Sequence, residues 1–124
     1  MNEREELTKD LEELSKKWVN LKEKFSDQII KYKNSNQAQK YLIKSGQEII
    51  NYYKKIFIPK YSKTEDFKIK EVGNELEAIS FMASLAIKNK NNFSLQVLII
   101  PWGSKEGDPN SLDVLTDYLK KPSD

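Results

Sequence analysis

Near the start of the chain, apolar residues recur at alternating spacings of four and three: Leu7, Leu11, Leu14, Trp18, Leu21 and Phe25, with Tyr32 one heptad beyond Phe25. Residues so spaced stack on one face at about 3.5 residues per turn, so the pattern predicts a helix carrying one apolar seam. Its other faces hold Glu-before-Lys pairs four apart, Glu5 with Lys9, Glu12 with Lys16 and Glu13 with Lys17, as suits a solvated surface. Asn2 is placed to cap this helix, with Glu5 three residues on, and Glu3, Glu5 and Glu6 sit where the helix dipole favours negative charge. If Leu7, Leu14 and Leu21 are d positions, the a positions include Trp18, Phe25 and Tyr32, which are large for a two-stranded parallel coil. A parallel homodimer would also set Lys17 at g against Lys22 at e. An antiparallel neighbour, another chain or the chain's own second helix suits the seam better.

Lys33 to Asn36 is a run of poor helix formers that also offers new caps. A second helix is expected from Gln37 to Phe57, with Leu42, Ile49 and Ile56 seven apart and Ala38, Ser45 and Tyr52 beside them, stopped by Pro59. Leu42, Ile49 and Ile56 are also in phase with Leu7, Leu14 and Leu21. Two arrangements therefore stay open, a helical hairpin or one unbroken coiled-coil helix from Asn2 to Phe57, about 80 Å long at 1.5 Å per residue.

From Phe67 the period shortens to two. Phe67 and Ile69 alternate with Lys68 and Lys70, and Gly73 with Asn74 suits a two-residue hairpin loop. On the return, Ile79, Phe81, Ala83, Leu85 and Ile87 fall on one face of a strand, with Ser80, Met82, Ser84, Ala86 and Lys88 on the other. Asn89 to Asn92 makes a turn, and Phe93 to Ile100 reads as a third strand with Phe93, Leu95, Val97 and Ile99 inward. The competing reading has Asn74 capping a helix with Glu77 at its third position, giving a βαβ unit; the alternation of Ser80 and Ser84 with large apolar residues favours the strand. Pro101 ends the third strand, Trp102 is placed either to plug the open end of the sheet, the favoured reading, or to anchor a partner, and Asn110 or Ser111 caps a last helix with Leu112, Leu115 and Leu119. The expected fold is α+β: an N-terminal helical hairpin or long coiled-coil helix, a three-stranded antiparallel β-meander, and a C-terminal covering helix. Residues 1–58 form the heptad region, and 59–124 a small α+β region packed with it as one domain.

The 124 residues include neither Cys nor His, which removes disulfides, thiolate chemistry, the usual zinc ligands and the commonest general base. Any catalysis would fall to carboxylates, Lys or Tyr. Glu106, Asp108, Asn110 and Asp117 have the spacing of a calcium loop, but Ser111 replaces the required Gly, and Pro109 stiffens the turn. Asp66, Glu75 and Glu77 with Lys68 and Lys70 carry a faint carboxylate-and-lysine nuclease pattern. The four glycines are dispersed, so no phosphate loop forms. No catalytic residue, cofactor or metal is assigned, and an enzyme is not the expected class.

Net charge is +2, and Arg4 is the sole arginine, which disfavours sequence-specific DNA reading. From Tyr52 to Lys70 six lysines stand against two acids, Glu65 and Asp66, interleaved with Tyr and Phe. That mixture combines backbone attraction with base stacking in non-specific single-strand binders. The charged N-terminus shows no signal peptide, and no stretch approaches the ~20 apolar residues of a membrane span, so a cytoplasmic or other reducing intracellular compartment is expected. The leading functional expectation is a non-enzymatic adaptor for protein interaction or assembly. It would bind a protein partner or itself through Leu7, Leu11, Leu14, Trp18, Leu21 and Phe25. The alternative is a lysine-based binder of nucleic acid or anionic surfaces through Lys54, Lys55, Lys60 and Lys63.

Overall fold

Asn2 caps the first helix: its Oδ1 accepts the Glu5 backbone N–H at 2.9 Å, while its Nδ2 donates to Glu5 Oε1 at 3.3 Å. The computed structural model describes residues 2–31, 36–89 and 111–122, the side chains at 18, 21–31, 36–38 and 41 excepted. Its elements are α1 (Glu3–Lys31), α2 (Asn36–Asn51), a π-helical segment (Tyr52–Phe57), α3 (Ile58–Tyr61), α4 (Phe67–Asn89) and α5 (Ser111–Lys120). The packed neighbours are α1 with α2, α2 with α4, α4 with α5, and α5 with α1.

Side-chain contacts fix the direction of each pair. Along α1, Glu6, Asp10 and Lys17 meet Lys60, Tyr52 and Glu48, so α1 and the helix that begins at α2 are antiparallel. Tyr53 reaches Glu77 and the Phe57 ring lies over Gly73, so α4 runs antiparallel to α2 in turn. Glu12 pairs with Lys120 and Ser15 with Asp113, which returns α5 along α1. The described helices thus form an up-down-up-down four-helix bundle closed by α1 and α5. The N-terminal part takes the hairpin arrangement, and the seam residues Leu7, Leu11 and Leu14 are buried with Leu42, Ile49, Leu76, Leu112 and Leu119 in one core.

The architecture is all-α, and no strand occurs among the described residues, so the expected three-stranded meander is wrong. Phe67–Asn89, read as two strands and a hairpin loop, is one helix of 23 residues. Its start is specified by Asp66, whose Oδ1 accepts the Lys68 N–H at 3.0 Å and whose carbonyl accepts the Lys70 N–H at 3.1 Å. Its inner seam is Ile69, Val72, Leu76, Ile79, Ala83 and Ala86, alternating by three and four. The strand reading failed because Phe81, Met82 and Leu85 add apolar residues on the opposite face, and a helix apolar on two faces mimics a period of two. Asn74 does not open the helix, as the βαβ alternative required; it lies in its second turn. Gly73 serves close packing and not a loop: a Cβ built there meets Phe57 Cε1 at 2.7 Å and Cζ at 2.9 Å. The expected third strand, Phe93–Ile100, together with Trp102 and Asn110, lies outside the described residues.

Pro59 does not end the second helix either. It has no N–H for the carbonyl of Lys55, and its ring crowds the preceding turn. The wider π-helical turn, closed by Ile58 N–H to Tyr53 O, carries the helix past the proline to Tyr61.

Substituting Gly73→Ala is expected to destabilise the chain by about 1–3 kcal/mol despite the better helix propensity of alanine, because the buried Phe57 ring must move. Phe57→Leu combined with Gly73→Ala should recover part of that loss. Denaturant unfolding of the two single variants and the double variant measures both effects.

Candidate interaction surface

Two polar clusters lock the end of the bundle where the chain starts. Arg4 grips Asp66 with two parallel bonds, Nε to Oδ2 at 2.5 Å and Nη2 to Oδ1 at 3.1 Å, so one carboxylate both caps α4 and ties it to α1. The Arg4 hydrogen bond is the chief reason that the Asp66 carboxyl titrates below its ordinary range. Lys68 Nζ donates to the carbonyls of Tyr118 at 3.0 Å and Lys121 at 2.6 Å, satisfying the exposed end of α5, and lies 4.8 Å from the centre of the Tyr118 ring. The Tyr118 hydroxyl donates to Glu71, and that bond raises its pKa.

Between α1 and the second helix, Tyr52 donates to Asp10 Oδ2 at 3.0 Å, and burial pushes its pKa up. The Tyr61 hydroxyl is buried with no hydrogen-bond partner among the described residues, near the charges of Asp10, Glu6 and Glu3. Burial first, and those carboxylates second, push Tyr61 up to about 12. Both phenols are thereby held neutral at ordinary pH, which suits packing and gives neither the character of a nucleophile.

The outer face of α4 is of another kind. Phe81 is 62% exposed, Met82 44% and Leu85 42%, and together with Ala78 they stand at i, i+3, i+4 and i+7 on the side away from the core. Beside this stripe a groove runs between α4 and the second helix, its apolar wall made by Tyr53, Ile58, Ala78 and Phe81. Lys54 and Glu77 bring opposite charges to it. Single exposed apolar residues are ordinary, but a contiguous helical stripe of them is the mark of a contact surface.

The residues singled out from sequence are distributed differently. Leu7 and Leu11 are fully buried and Leu14 nearly so, all covered by the chain's own helices. The side chains of Trp18, Leu21 and Phe25 lie outside the described ones. Lys55 and Lys60 line a groove against α1 that also holds Asp10, Glu13 and Glu48, and Lys60 pairs with Glu6 at 3.4 Å. Lys54 lies in the separate groove with Glu77, and Lys63 is an exposed residue in the turn after α3. Lys54 thus faces a different groove from Lys55 and Lys60. Asp66, Glu75 and Glu77 are not gathered either, since Asp66 is held by Arg4 and Glu77 accepts the Tyr53 hydroxyl at 3.1 Å. Of the calcium-like set only Asp117 is described, as an exposed residue of α5. No helix among the described residues is long and apolar enough to cross a membrane. Comparison with protein-family models, curated proteins and solved structures yields no match.

The α4 stripe does not emerge from the sequence pattern, because Phe81, Met82 and Leu85 fall there on the two faces of a strand. The available signal was the inner seam itself: once Ile69, Val72, Leu76, Ile79 and Ala83 are placed on a helix, Phe81, Met82 and Leu85 must point away.

The two ends of the pH scale test the polar clusters. Asp66 has a lowered folded pKa, so its contribution is present above the usual carboxylate range and is lost as pH falls through that lowered value. Asp66→Ala should remove this acid-side loss and cost about 1–3 kcal/mol at neutral pH, for cap and ion pair together. Tyr61 has a raised folded pKa, so its contribution holds below about 10 and is lost as pH rises toward about 12. Tyr61→Phe should leave neutral-pH stability unchanged or raise it by up to about 1 kcal/mol, whereas Tyr52→Phe should lower it by about 1 kcal/mol. Denaturation curves over the pH range read all four effects.

Proposed function

We propose that this chain is a non-enzymatic protein-interaction and assembly module whose contact surface is the outer stripe of α4. The observation that carries the reading is a helix with two apolar faces, one closing the core and the other left in solvent at Ala78, Phe81, Met82 and Leu85. The proximal seam of α1 is ill suited to the same task, because Leu7, Leu11 and Leu14 hold the bundle together and exposing them would cost the fold. The residue types are compatible with it: the chain has no Cys or His, and the buried phenols of Tyr52 and Tyr61 are held neutral.

A variant carrying Phe81→Glu and Leu85→Glu tests the reading. Measured at dilution, its thermal unfolding should stay within about 0.5 kcal/mol of the parent chain, as for ordinary surface substitutions. A loss of several kcal/mol would mean that the chain itself covers the stripe, and would remove the reading.

A further inference from the structure

One edge of the α4 stripe is complementary to its own reverse. Glu77, Phe81, Ser84 and Lys88 stand at i, i+4, i+7 and i+11, and the first three line the groove beside the second helix. From the N-terminal end the order is acid, large, small, base; an antiparallel copy presents base, small, large, acid. Glu77 and Lys88 are exposed, and neither forms an ion pair among the described residues. Glu77 uses Oε2 to accept the Tyr53 hydroxyl, so its other oxygen remains to take a cation.

We propose that a second copy of this chain covers the stripe, the two α4 helices lying antiparallel about a two-fold axis beside Met82. The proposal rests on the stripe being a protein contact, as argued above. In that register Met82 meets the partner's Met82, and Phe81 lies over the partner's Ser84. Leu85 enters the gap between the partner's Ala78 and the partner's Met82. Lys88 reaches the partner's Glu77, and symmetry makes that ion pair twice. Apart from the Met82 pair on the axis, small residues stand opposite large ones, and acids opposite bases. A parallel pairing would set Glu77 against the partner's Glu77 and Lys88 against the partner's Lys88, so charge selects the antiparallel arrangement. An unrelated partner would place no such symmetry on this edge. The two-fold contact also closes on itself, giving a dimer and not a filament.

Sedimentation velocity and light scattering on the full chain, over a dilution series, test the proposal. The parent chain should run at twice the chain mass and dissociate on dilution. Glu77→Lys alone and Lys88→Glu alone should each weaken the dimer by about tenfold or more, because each places two like-charge contacts in the interface. The double exchange should restore the parent affinity to within about threefold, since the pairs re-form with signs reversed. Circular dichroism should show all three variants as helical as the parent. A parent chain that stays monomeric at millimolar concentration, or a double exchange that fails to restore what the single ones lose, would overturn the proposal. A monomeric parent whose Phe81→Glu, Leu85→Glu variant stays stable would leave the stripe as a contact for a different protein. An unstable variant would end both readings.

Discussion

Burial of the α1 seam is the constraint on which the bundle depends. Leu7 and Leu11 have no exposed surface, and they are covered from two sides, by the second helix and by α5. Because α5 returns along α1 from the far end of the sequence, the seam joins the two ends of the chain and makes the four helices one cooperative unit. At roughly 1.5–3 kcal/mol for each fully buried leucine, these contacts outweigh any surface ion pair in the molecule. The polar contacts have a different part. Arg4 with Asp66, Glu12 with Lys120 and Ser15 with Asp113 set direction and register, and few other arrangements of the same apolar surfaces would satisfy all three.

That division of labour leaves α4 as the exceptional element. Among the described side chains, α1 and α5 expose single apolar residues, Val19 and Val114, amid charged ones, whereas α4 carries apolar residues on both sides over its second half. Gly73 lets it lie close against Phe57 on the inside, and the π-helical turn that admits Pro59 brings Ile58 beside the same groove from the neighbouring helix. The one π-helical segment among the described residues thus lies beside the groove that borders the proposed contact surface, as π-bulges often do near functional positions.

What was legible in the sequence was local. The Leu7–Leu14 seam, the Asn2 cap and the last helix with Leu112, Leu115 and Leu119 could each be read from spacing, because one apolar face against polar surroundings gives an unmixed period. α4 could not be read that way. Its inner seam and its outer stripe overlap in sequence between Ile79 and Ala86, and the sum resembles the alternation of a strand. Pro59 was read by its usual rule and escaped it, since a widened turn removes the clash that the rule assumes. The ties Arg4–Asp66, Tyr52–Asp10 and Lys68 to the end of α5 join residues 62, 42 and 50 or more positions apart, so no local pattern could signal them. The candidate surface was invisible for the same reason as the helix that bears it: which apolar residues remain outside is decided only when the inside is known.

One unbroken helix over 67–89 is what turns Phe81 outward. Backbone carbon chemical shifts with amide hydrogen exchange across this segment test it most directly. Helical shifts continuing through Gly73 and Asn74, with protection at Leu76, Ser80 and Ala83, are expected. Strand-like shifts on either side of an exchange-labile Gly73–Asn74 would contradict the account, because they would set Phe81 on the same face as Ile79 and Ala83 and leave no outward stripe.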